Sequence, residues 1–525
     1  MDNNVTWLEE NHQSLGAVRK FSKVEIAYAW LCFVIGYGFC KVFSAAENPL
    51  GAFLFIVALI ITSFVVVKVK KATLGLNAYL VAGSALLMSA SMVVTSNATI
   101  QFFSYMYCLL AYGYFMYIAF GNQTEKGLSD LILIDFFKIL FIVPFMSLGY
   151  IFPAAFSSSE KGRGKVVLKV LLGVAIAIIP TVVIVVLLSY DSNFSNIIDK
   201  IFADWDVFSD IFCITFGVPV GMYAYGIFFS SVENKTKDIM VAESCRNASM
   251  KAKKAPVSTI IAATLPVLIV YIIFFISQWQ YYVSGFKGIL PVDTIYAEYA
   301  REGFFQLCTV SVINFIILIV ISMFMCRETA KPSIIQKVLV TVFSVFTLIL
   351  IATAISKMVL YIDVYGLTQK RIYATWFMLV LTLIFVLLVI KQFVNKVKVI
   401  AVSVLVLIVA FGGLAFSNVE NIIANYNVER YVSGKTDIID VESLYELGDA
   451  AVPAMIKLAE YYDEKQGTDF TDKKADKDDW VYNRVCNKLY LIASTYKTEE
   501  TTESIWKITF PRMKAESILA DKGLT

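Results

Sequence analysis

The sequence contains very little histidine and no paired cysteines. His12 is the single histidine in 525 residues, and none of the eight cysteines belongs to a Cys-x-x-Cys pair. A histidine-containing catalytic triad, a cysteine–histidine pair and a multi-histidine metal site are therefore excluded within one chain. A disulfide framework is not expected either. We accordingly expect no catalytic set of these kinds, no bound metal and no cofactor.

Charge is also scarce. Charged residues make up 17% of the chain and hydrophobic residues 58%, whereas a soluble domain has about a quarter of its residues charged. The hydrophobic residues are grouped in runs of about 20, the length that a helix needs to cross the hydrocarbon core of a bilayer. The sequence therefore predicts an all-α polytopic membrane protein whose surroundings are membrane lipids.

The apolar runs predict about eleven transmembrane helices within a transmembrane domain at 24–417. The spans fall at about 24–43, 49–67, 73–94, 98–120, 166–189, 207–231, 257–280, 303–325, 334–359, 370–390 and 398–416. A polar N-terminus at 1–23 precedes them. A soluble, acidic domain of four or five helices is expected at 418–525, because apolar residues recur there at helical spacing.

The balance of charge differs between these parts and indicates an orientation. Residues 418–525 contain 20 acidic and 14 basic side chains, so the rest of the chain holds 22 acidic and 31 basic ones. Basic residues beside spans mark the cytoplasmic side of a membrane and do not indicate a nucleic-acid site. We therefore expect a protein of the bacterial cytoplasmic membrane, with its N-terminus inside and its C-terminal domain outside.

Segment 128–156 is apolar enough to span a bilayer, but charges and prolines interrupt it. The interruptions are Asp130, Asp135, Lys138, Pro144 and Pro153. If the segment crossed the membrane, the basic loop 233–255 would move outside, against the charge rule. We therefore predict an interfacial or re-entrant element that stays on the inner side.

Two polar stretches border the predicted outer face. The first, YAEYAREGFFQL, carries Glu298, Arg301 and Glu302 at the start of the eighth predicted span. On a helix these three charges share one face. One hypothesis is that they bind a partner at the membrane border. The other is that Glu298 and Arg301 form a local ion pair with no further role.

The second stretch, YIDVYGLTQKRIYATW, joins the ninth and tenth predicted spans. Its candidate site residues are Asp363, Thr368, Lys370 and Arg371, with Thr368 expected to cap the tenth span. A helix N-terminus beside two cations can hold an anionic lipid headgroup or meet an envelope protein. The alternative is that the tyrosines and Trp376 form an interfacial belt without a ligand.

Three prolines inside predicted spans are candidate helix breaks. They are Pro180, Pro219 and Pro266, in the fifth, sixth and seventh spans. Broken helices near the bilayer midplane are typical of secondary transporters, although prolines also occur in spans that merely kink. Pro219 lies in GVPVG, whose Gly217 and Gly221 predict close packing of two helix backbones.

The stretches YAEYAREGFFQL, YGLTQKR and NYNVERY resemble a bacterial family of multi-spanning membrane proteins catalogued only as a domain of unknown function. The resemblance covers about residues 200–460. It implies family positions at Tyr299, Arg301, Gly303, Phe304, Tyr365, Gly366, Leu367, Thr368, Arg371, Asn425, Tyr426 and Asn427. The chain has Asn418-Val419 where the family tends to have Asn-Pro. The resemblance supports the architecture and leaves the activity open.

The leading functional hypothesis is a non-enzymatic envelope protein for sensing, binding or scaffolding, because polar residues cluster at the outer border and a catalytic set is missing. The alternative is a carrier of a small or lipidic substrate, built on the proline-bearing helices. A lipid- or glycan-modifying enzyme is a third hypothesis, and it requires Glu298 or Glu302 beside a second acid such as Asp363. A homo-oligomer is compatible with all three.

Overall fold

The computed structural model describes most of the chain. It covers residues 20–44, 48–157, 207–277, 296–326, 333–467, 469–471, 479–498 and 504–524, and the six positions 180, 184, 187, 188, 191 and 194. At 44, 207–208, 296–303 and 504 it describes the backbone only. The described residues form eighteen α-helices, ten of which are long and apolar enough to cross a membrane. The predicted all-α polytopic fold is confirmed.

The described helices are numbered along the chain. They are α1 (Lys23–Ser44), α2 (Pro49–Val69), α3 (Leu76–Val94), α4 (Ala98–Ala119), α5 (Ile132–Phe141), α6 (Ile151–Ala155), α7 (Val207–Val232), α8 (Ala242–Ala252), α9 (Val257–Ser277), α10 (Tyr296–Phe324), α11 (Ile334–Tyr365), α12 (Gln369–Phe393), α13 (Val399–Phe416), α14 (Val419–Val432), α15 (Val441–Tyr445), α16 (Val452–Gln466), α17 (Trp480–Thr498) and α18 (Phe510–Asp521).

Ten of the eleven predicted spans correspond to these helices. Most of the predicted fifth span, 166–189, and most of the polar N-terminus lie outside the described residues, since only positions 180, 184, 187 and 188 of that span are described. Helix α11 runs to Tyr365, beyond the predicted end at 359. It ends there because Gly366 adopts φ +76°, a left-handed conformation that interrupts a helix and suits glycine.

Helices α1, α2, α3, α4 and α7 form a first bundle, in which α1 and α7 are in direct backbone contact. A Cβ atom built at Gly217 would lie 2.8 Å from the carbonyl carbon of Gly36. One built at Gly221 would lie 2.5 Å from the Cys32 oxygen. Only glycine fits at such distances, so the close packing predicted from GVPVG is confirmed.

The segment between α4 and α7 includes two short helices that enter the first bundle and leave it again. Helix α5 has ten residues, so it is about 15 Å long against roughly 30 Å of hydrocarbon. Asn122 donates to the Ser231 carbonyl (2.8 Å), and further inside Tyr223 donates to the Leu140 carbonyl (3.1 Å). The chain returns at Ser147, whose hydroxyl accepts a hydrogen bond from the last turn of α7 (2.7 Å). This is the geometry of the predicted re-entrant element.

Helices α9, α10, α11 and α12 form a second bundle with its own hydrophobic core. Phe304 and Phe343 are almost completely buried in it. A polar connection crosses the same core, since the Tyr271 hydroxyl donates to Asn314 (2.6 Å), whose amide donates to Thr347 (2.8 Å). Hydrogen bonds between helices in this way stabilise their packing where water is absent.

Helix α13 packs on α12 of the second bundle and on α3 of the first. A carboxylate oxygen of Asp130 accepts from the N–H groups of Ile400 (3.0 Å) and Ala401 (3.4 Å), and so compensates the unpaired start of α13. We call this end of the bundles, which also carries loops 121–131 and 233–241, the loop end. The other end, where α12 begins and α13 ends, is the tail end.

The C-terminal helices, α14–α18, pack around buried side chains that are continuous with the core of the first bundle. Val452, Met455 and Cys486 are among the residues with no exposed surface. The short 3₁₀ helix Ser504–Lys507 lies against α2. Five described α-helices follow residue 418, within the four or five expected, while the exact limits of a separate domain stay a prediction.

Candidate functional site

Three of the predicted site residues lie where the structure describes only the backbone. Glu298, Arg301 and Glu302 belong to the first two turns of α10. The helix expected for YAEYAREGFFQL is therefore present, but these three side chains lie outside the described part of the chain. Their role as a binding site or as a local ion pair stays a prediction.

The other four predicted residues lie at the turn between α11 and α12. Asp363, Thr368 and Lys370 are exposed, and Arg371 is half-buried. Thr368 occupies the N-cap position of α12 as predicted. Its exposed side chain makes no capping hydrogen bond to the helix, so it does not compensate the free N–H groups of α12 as expected.

Arg371 holds the backbone of this turn. Its Nη1 atom donates to the carbonyl oxygens of Tyr365 (3.0 Å) and Gly366, and its guanidinium lies 4.1 Å from the centre of the Tyr361 ring. These carbonyls have no helical partner because α11 ends there, and a cation near a helix C-terminus is stabilising. Arg371 therefore has a structural role that its sequence context did not indicate.

Asn427 of α14 pairs with the backbone of the same turn. Its Oδ1 accepts from the N–H of Leu367 (2.8 Å), and its Nδ2 donates to the Leu367 carbonyl (2.9 Å). A Cβ atom at Gly366 would collide with Asn427 Oδ1. Position 366 thus requires glycine for two reasons, namely the positive φ and the close approach of the Asn427 side chain.

Arg430, one turn further along α14, binds the backbone at the end of α11. Its Nη1 donates to the Ile362 carbonyl (2.7 Å) and its Nη2 to the Asp363 carbonyl. Arg430 is only 9% exposed, so its charge is compensated mainly by these carbonyl dipoles at the negative end of the helix. Asp363 therefore takes part through its backbone, whereas its carboxylate is exposed.

A buried carboxylate lies beside the turn. Glu420, in the first turn of α14, is 1% exposed. It accepts hydrogen bonds from the amide of Asn97, the hydroxyl of Thr95 (3.5 Å) and the amide of Gln369 (3.2 Å). Asn97 also donates to the Tyr373 hydroxyl (2.8 Å). Each of these donors is neutral, so hydrogen bonds compensate the burial of the carboxylate.

We call this assembly the joint. It connects three stretches of chain, namely the turn between α3 and α4, the turn between α11 and α12, and α14. The hydrogen bonds of Asn427, Arg430 and Glu420 reach both bundles from one helix. The C-terminal helices are therefore fixed to the tail end of the bundles, and they cannot tilt away without exposing several buried polar groups.

Three joint residues were missed in the sequence. Asn97 carries a readable signal, because it lies between two apolar runs and its Oδ1 accepts from Ile100 N–H (2.9 Å) as an N-cap. Glu420 follows the last span closely, and Arg430 belongs to the family stretch NYNVERY on the same helix. That stretch could have indicated a contact, although no pattern in it identifies the partner.

The proline-bearing helices are continuous where they are described. Pro219 lies inside α7 and Pro266 inside α9, and each helix continues on both sides of its proline. The candidate breaks at these two positions are therefore absent, because packing around a span can accommodate the lost backbone hydrogen bond. Pro180 is an exposed helical position in a stretch otherwise outside the described residues.

A second polar cluster lies at the loop end, inside the re-entrant element. Asp135 is 2% exposed and Lys138 is 1% exposed. The Thr124 hydroxyl connects them, since it donates to Asp135 (2.6 Å) and accepts from Lys138 (2.8 Å). Burial raises the pKa of the Asp135 carboxyl and lowers the pKa of the Lys138 ammonium. This cluster fixes α5 to the loop before it.

Fold and joint together define a polytopic all-α membrane protein whose C-terminal helices are fixed to one end of its bundles. The chain belongs to the family described as Domain of unknown function (DUF4153), which matches residues 82–458. That range contains the joint residues from Thr95 to Arg430, and the resemblance seen in the three stretches is confirmed. No curated protein and no solved structure matches the chain.

Proposed function

We propose that this is a non-enzymatic protein of the bacterial cytoplasmic membrane that presents its C-terminal helices at the outer face as a binding platform for an envelope component. The observation that supports this most directly is the joint. A domain on a flexible linker needs no buried polar contacts to its membrane anchor. A platform that must keep one orientation needs such contacts, because each of them restricts the tilt of the C-terminal helices.

The distribution of charge supports the orientation. The loop end carries Lys68, Lys70 and Lys71 together with the basic loop 233–255. By the positive-inside rule this end faces the cytoplasm. The tail end, and with it the joint and the C-terminal helices, then faces outward.

Exposed apolar side chains on the C-terminal helices support contact with the bilayer surface. Trp506, Phe510 and Met513 are 46–58% exposed. The Trp506 ring lies 3.7 Å from the position of a Cβ atom at Gly51, close to the start of α2 at the tail end. Tryptophan at the end of a span is typical of the membrane–water interface. The platform would therefore rest on the bilayer.

A second exposed surface is suited to a protein partner. Trp480 is 66% exposed, and the Arg484 guanidinium lies 5.2 Å from the centre of its ring. Arg484 is held in place by an ion pair with Glu442. Tryptophan and arginine are the residues most enriched at the centre of protein interfaces. We infer that this pair faces the envelope component.

The proposal is tested by crosslinking in cells from a photoreactive residue placed at position 480. The expected result is a discrete adduct between the photoreactive residue and one partner protein. A photoreactive residue at the lipid-facing Phe377 is the control and should give no protein adduct. The absence of any adduct from position 480 would contradict the platform.

The orientation is tested separately with a reporter fused after Thr525 that is active only outside the cytoplasm. Activity of the reporter supports the outer location. An inactive reporter on a stable chain would place the platform in the cytoplasm and refute the proposed sidedness. The carrier hypothesis gains no support from α7 and α9, which continue through their prolines.

A further inference from the structure

An apolar groove lies between α12 and α13 at the tail end. Its volume is about 480 Å³, within the range of roughly 300–1,000 Å³ of small-molecule sites. Ile372, Trp376, Leu379 and Leu383 line it from α12, and Ala410 and Leu414 line it from α13. The groove is thus bordered almost entirely by hydrocarbon side chains of two membrane-spanning helices.

Small residues on α13 create the groove. The Trp376 indole N–H donates to the Ala410 carbonyl (3.0 Å), and this hydrogen bond joins α12 to α13 at the groove. Gly413 also lines the groove, and a Cβ atom built there would meet nothing within 4 Å. The space in front of Gly413 is therefore open, and a larger side chain would occupy it without disturbing the helix contact.

The groove has the position and length of one acyl chain. Leu379 and Leu383 are 52% and 49% exposed at its border, on a face of α12 that no described residue covers. Ile372 and Leu383 are eleven residues apart, about 16 Å along the helix, which is close to half of the ~30 Å hydrocarbon core. Inside a bilayer such a space fills with hydrocarbon, because water finds no polar partners there.

A cation, Arg371, directly precedes Ile372, the first residue of α12 that lines the groove. Thr375, which lines it, donates to the Arg371 carbonyl one turn above (2.8 Å). Arg371 uses Nη1 for the carbonyls of the turn, and no described residue accepts a hydrogen bond from its Nε or Nη2. Lys370 beside it is exposed. Two parallel donors of a guanidinium match the oxygens of a phosphate group.

We propose that the groove binds one acyl chain of an anionic phospholipid of the leaflet at the tail end, whose headgroup phosphate lies against Arg371. The lipid would fill the space between α12 and α13 directly below the joint. This inference goes beyond the platform proposed above and stands or falls independently of it, because it concerns the membrane helices alone.

The probe is phosphatidylglycerol with a photoactivatable group at the end of one acyl chain. The full chain is reconstituted in phosphatidylethanolamine vesicles that contain the probe, irradiated, and the adducts are mapped by mass spectrometry. We expect adducts at Leu379 or Leu383. A phosphatidylcholine probe has the same phosphate, but its choline cation compensates the charge. It should therefore label these positions about fivefold less, because it lacks about one favourable contact of a cation with an anionic lipid.

Two pairs of variants test the two ends of the site. Gly413→Leu should abolish labelling of the groove, whereas Gly83→Leu should not, although a Cβ at Gly83 also meets open space within a span. Arg371→Gln should remove the preference for phosphatidylglycerol, whereas Lys370→Gln should keep most of it.

Unchanged labelling in Gly413→Leu would overturn the assignment of the groove. Equal labelling by the two lipid probes in the wild type would overturn the assignment of an anionic lipid. If Arg371→Gln fails to fold because the turn is lost, Gly413→Leu and the comparison of the two probes still decide the question.

Discussion

The most informative perturbation of the joint is Asn427→Ala. The alanine removes two hydrogen bonds to the backbone of Leu367, of 2.8 and 2.9 Å. A hydrogen bond between neutral groups contributes about 1 kcal/mol net. Leu367 is half-buried, so water can reach its N–H and carbonyl groups and they do not stay unpaired. We therefore expect the closed joint to be destabilised by the net value of the two hydrogen bonds, about 2 kcal/mol.

This change is measured by hydrogen exchange of the full chain in a bilayer mimetic. A loss of about 2 kcal/mol raises the open population about 30-fold. The amides of α14, at 419–432, should therefore exchange about 30-fold faster in Asn427→Ala if they exchange through opening of the joint. Amides in the middle of α4 should keep their wild-type rates.

The matched control is Asn425→Ala in the same helix. Asn425 donates only to the carbonyl (2.8 Å) and the side chain (3.0 Å) of Asn421, one turn earlier. Its removal should change stability by no more than about 0.5 kcal/mol, as is usual away from special contacts. If both variants exchanged at the same rate, the joint would not be what fixes the C-terminal helices, and the reasoning would be refuted.

Three further variants extend the test. Gly366→Ala should cost several kcal/mol, from about 1–3 for a backbone conformation (φ +76°, ψ −175°) that is almost restricted to glycine plus the collision with Asn427. Gly434→Ala, at φ +69° with open space around it, should cost less; equal losses of thermal stability would contradict a special requirement for glycine at 366. Glu420→Ala leaves three donors without their acceptor and should cost about 1–3 kcal/mol, with Glu420→Gln less severe; an unchanged melting temperature would argue against a compensated carboxylate. Thr124→Val should lower the melting temperature because it disconnects Asp135 from Lys138, and Thr124→Ser, which keeps the hydroxyl, should restore it.

Much of the membrane architecture is readable in the sequence because each span satisfies its backbone internally. Its position then depends on local hydrophobicity alone. GVPVG is likewise a local pattern. It predicted a close helix contact but could not identify the contacting residue, Gly36. The re-entrant element was also predictable, since charges such as Asp135 and Lys138 are unfavourable in a crossing helix.

The joint was not predictable in the same way, because its contacts are distant in sequence. Glu420 and Asn97 are separated by 323 residues, and Arg430 reaches a carbonyl 68 residues away. The sequence around a charged residue also does not indicate which groups will compensate its charge. Arg371 looked like an anion site beside Lys370, and only the position of two free carbonyls shows that part of its guanidinium is already engaged.

The wide separation of the joint residues has a consequence for biogenesis. At about 5–20 residues per second, the ribosome completes Glu420 roughly 16 to 65 s after Asn97, since Glu420 comes 323 residues later in the chain. During that interval the side chains of Asn97 and Thr95 have no Glu420 carboxylate to accept their hydrogen bonds. The joint can close only after α11, α12 and α13 have been inserted. Until the joint closes, the side chains of Glu420, Asn427 and Arg430 lack the partners that they have in the two turns.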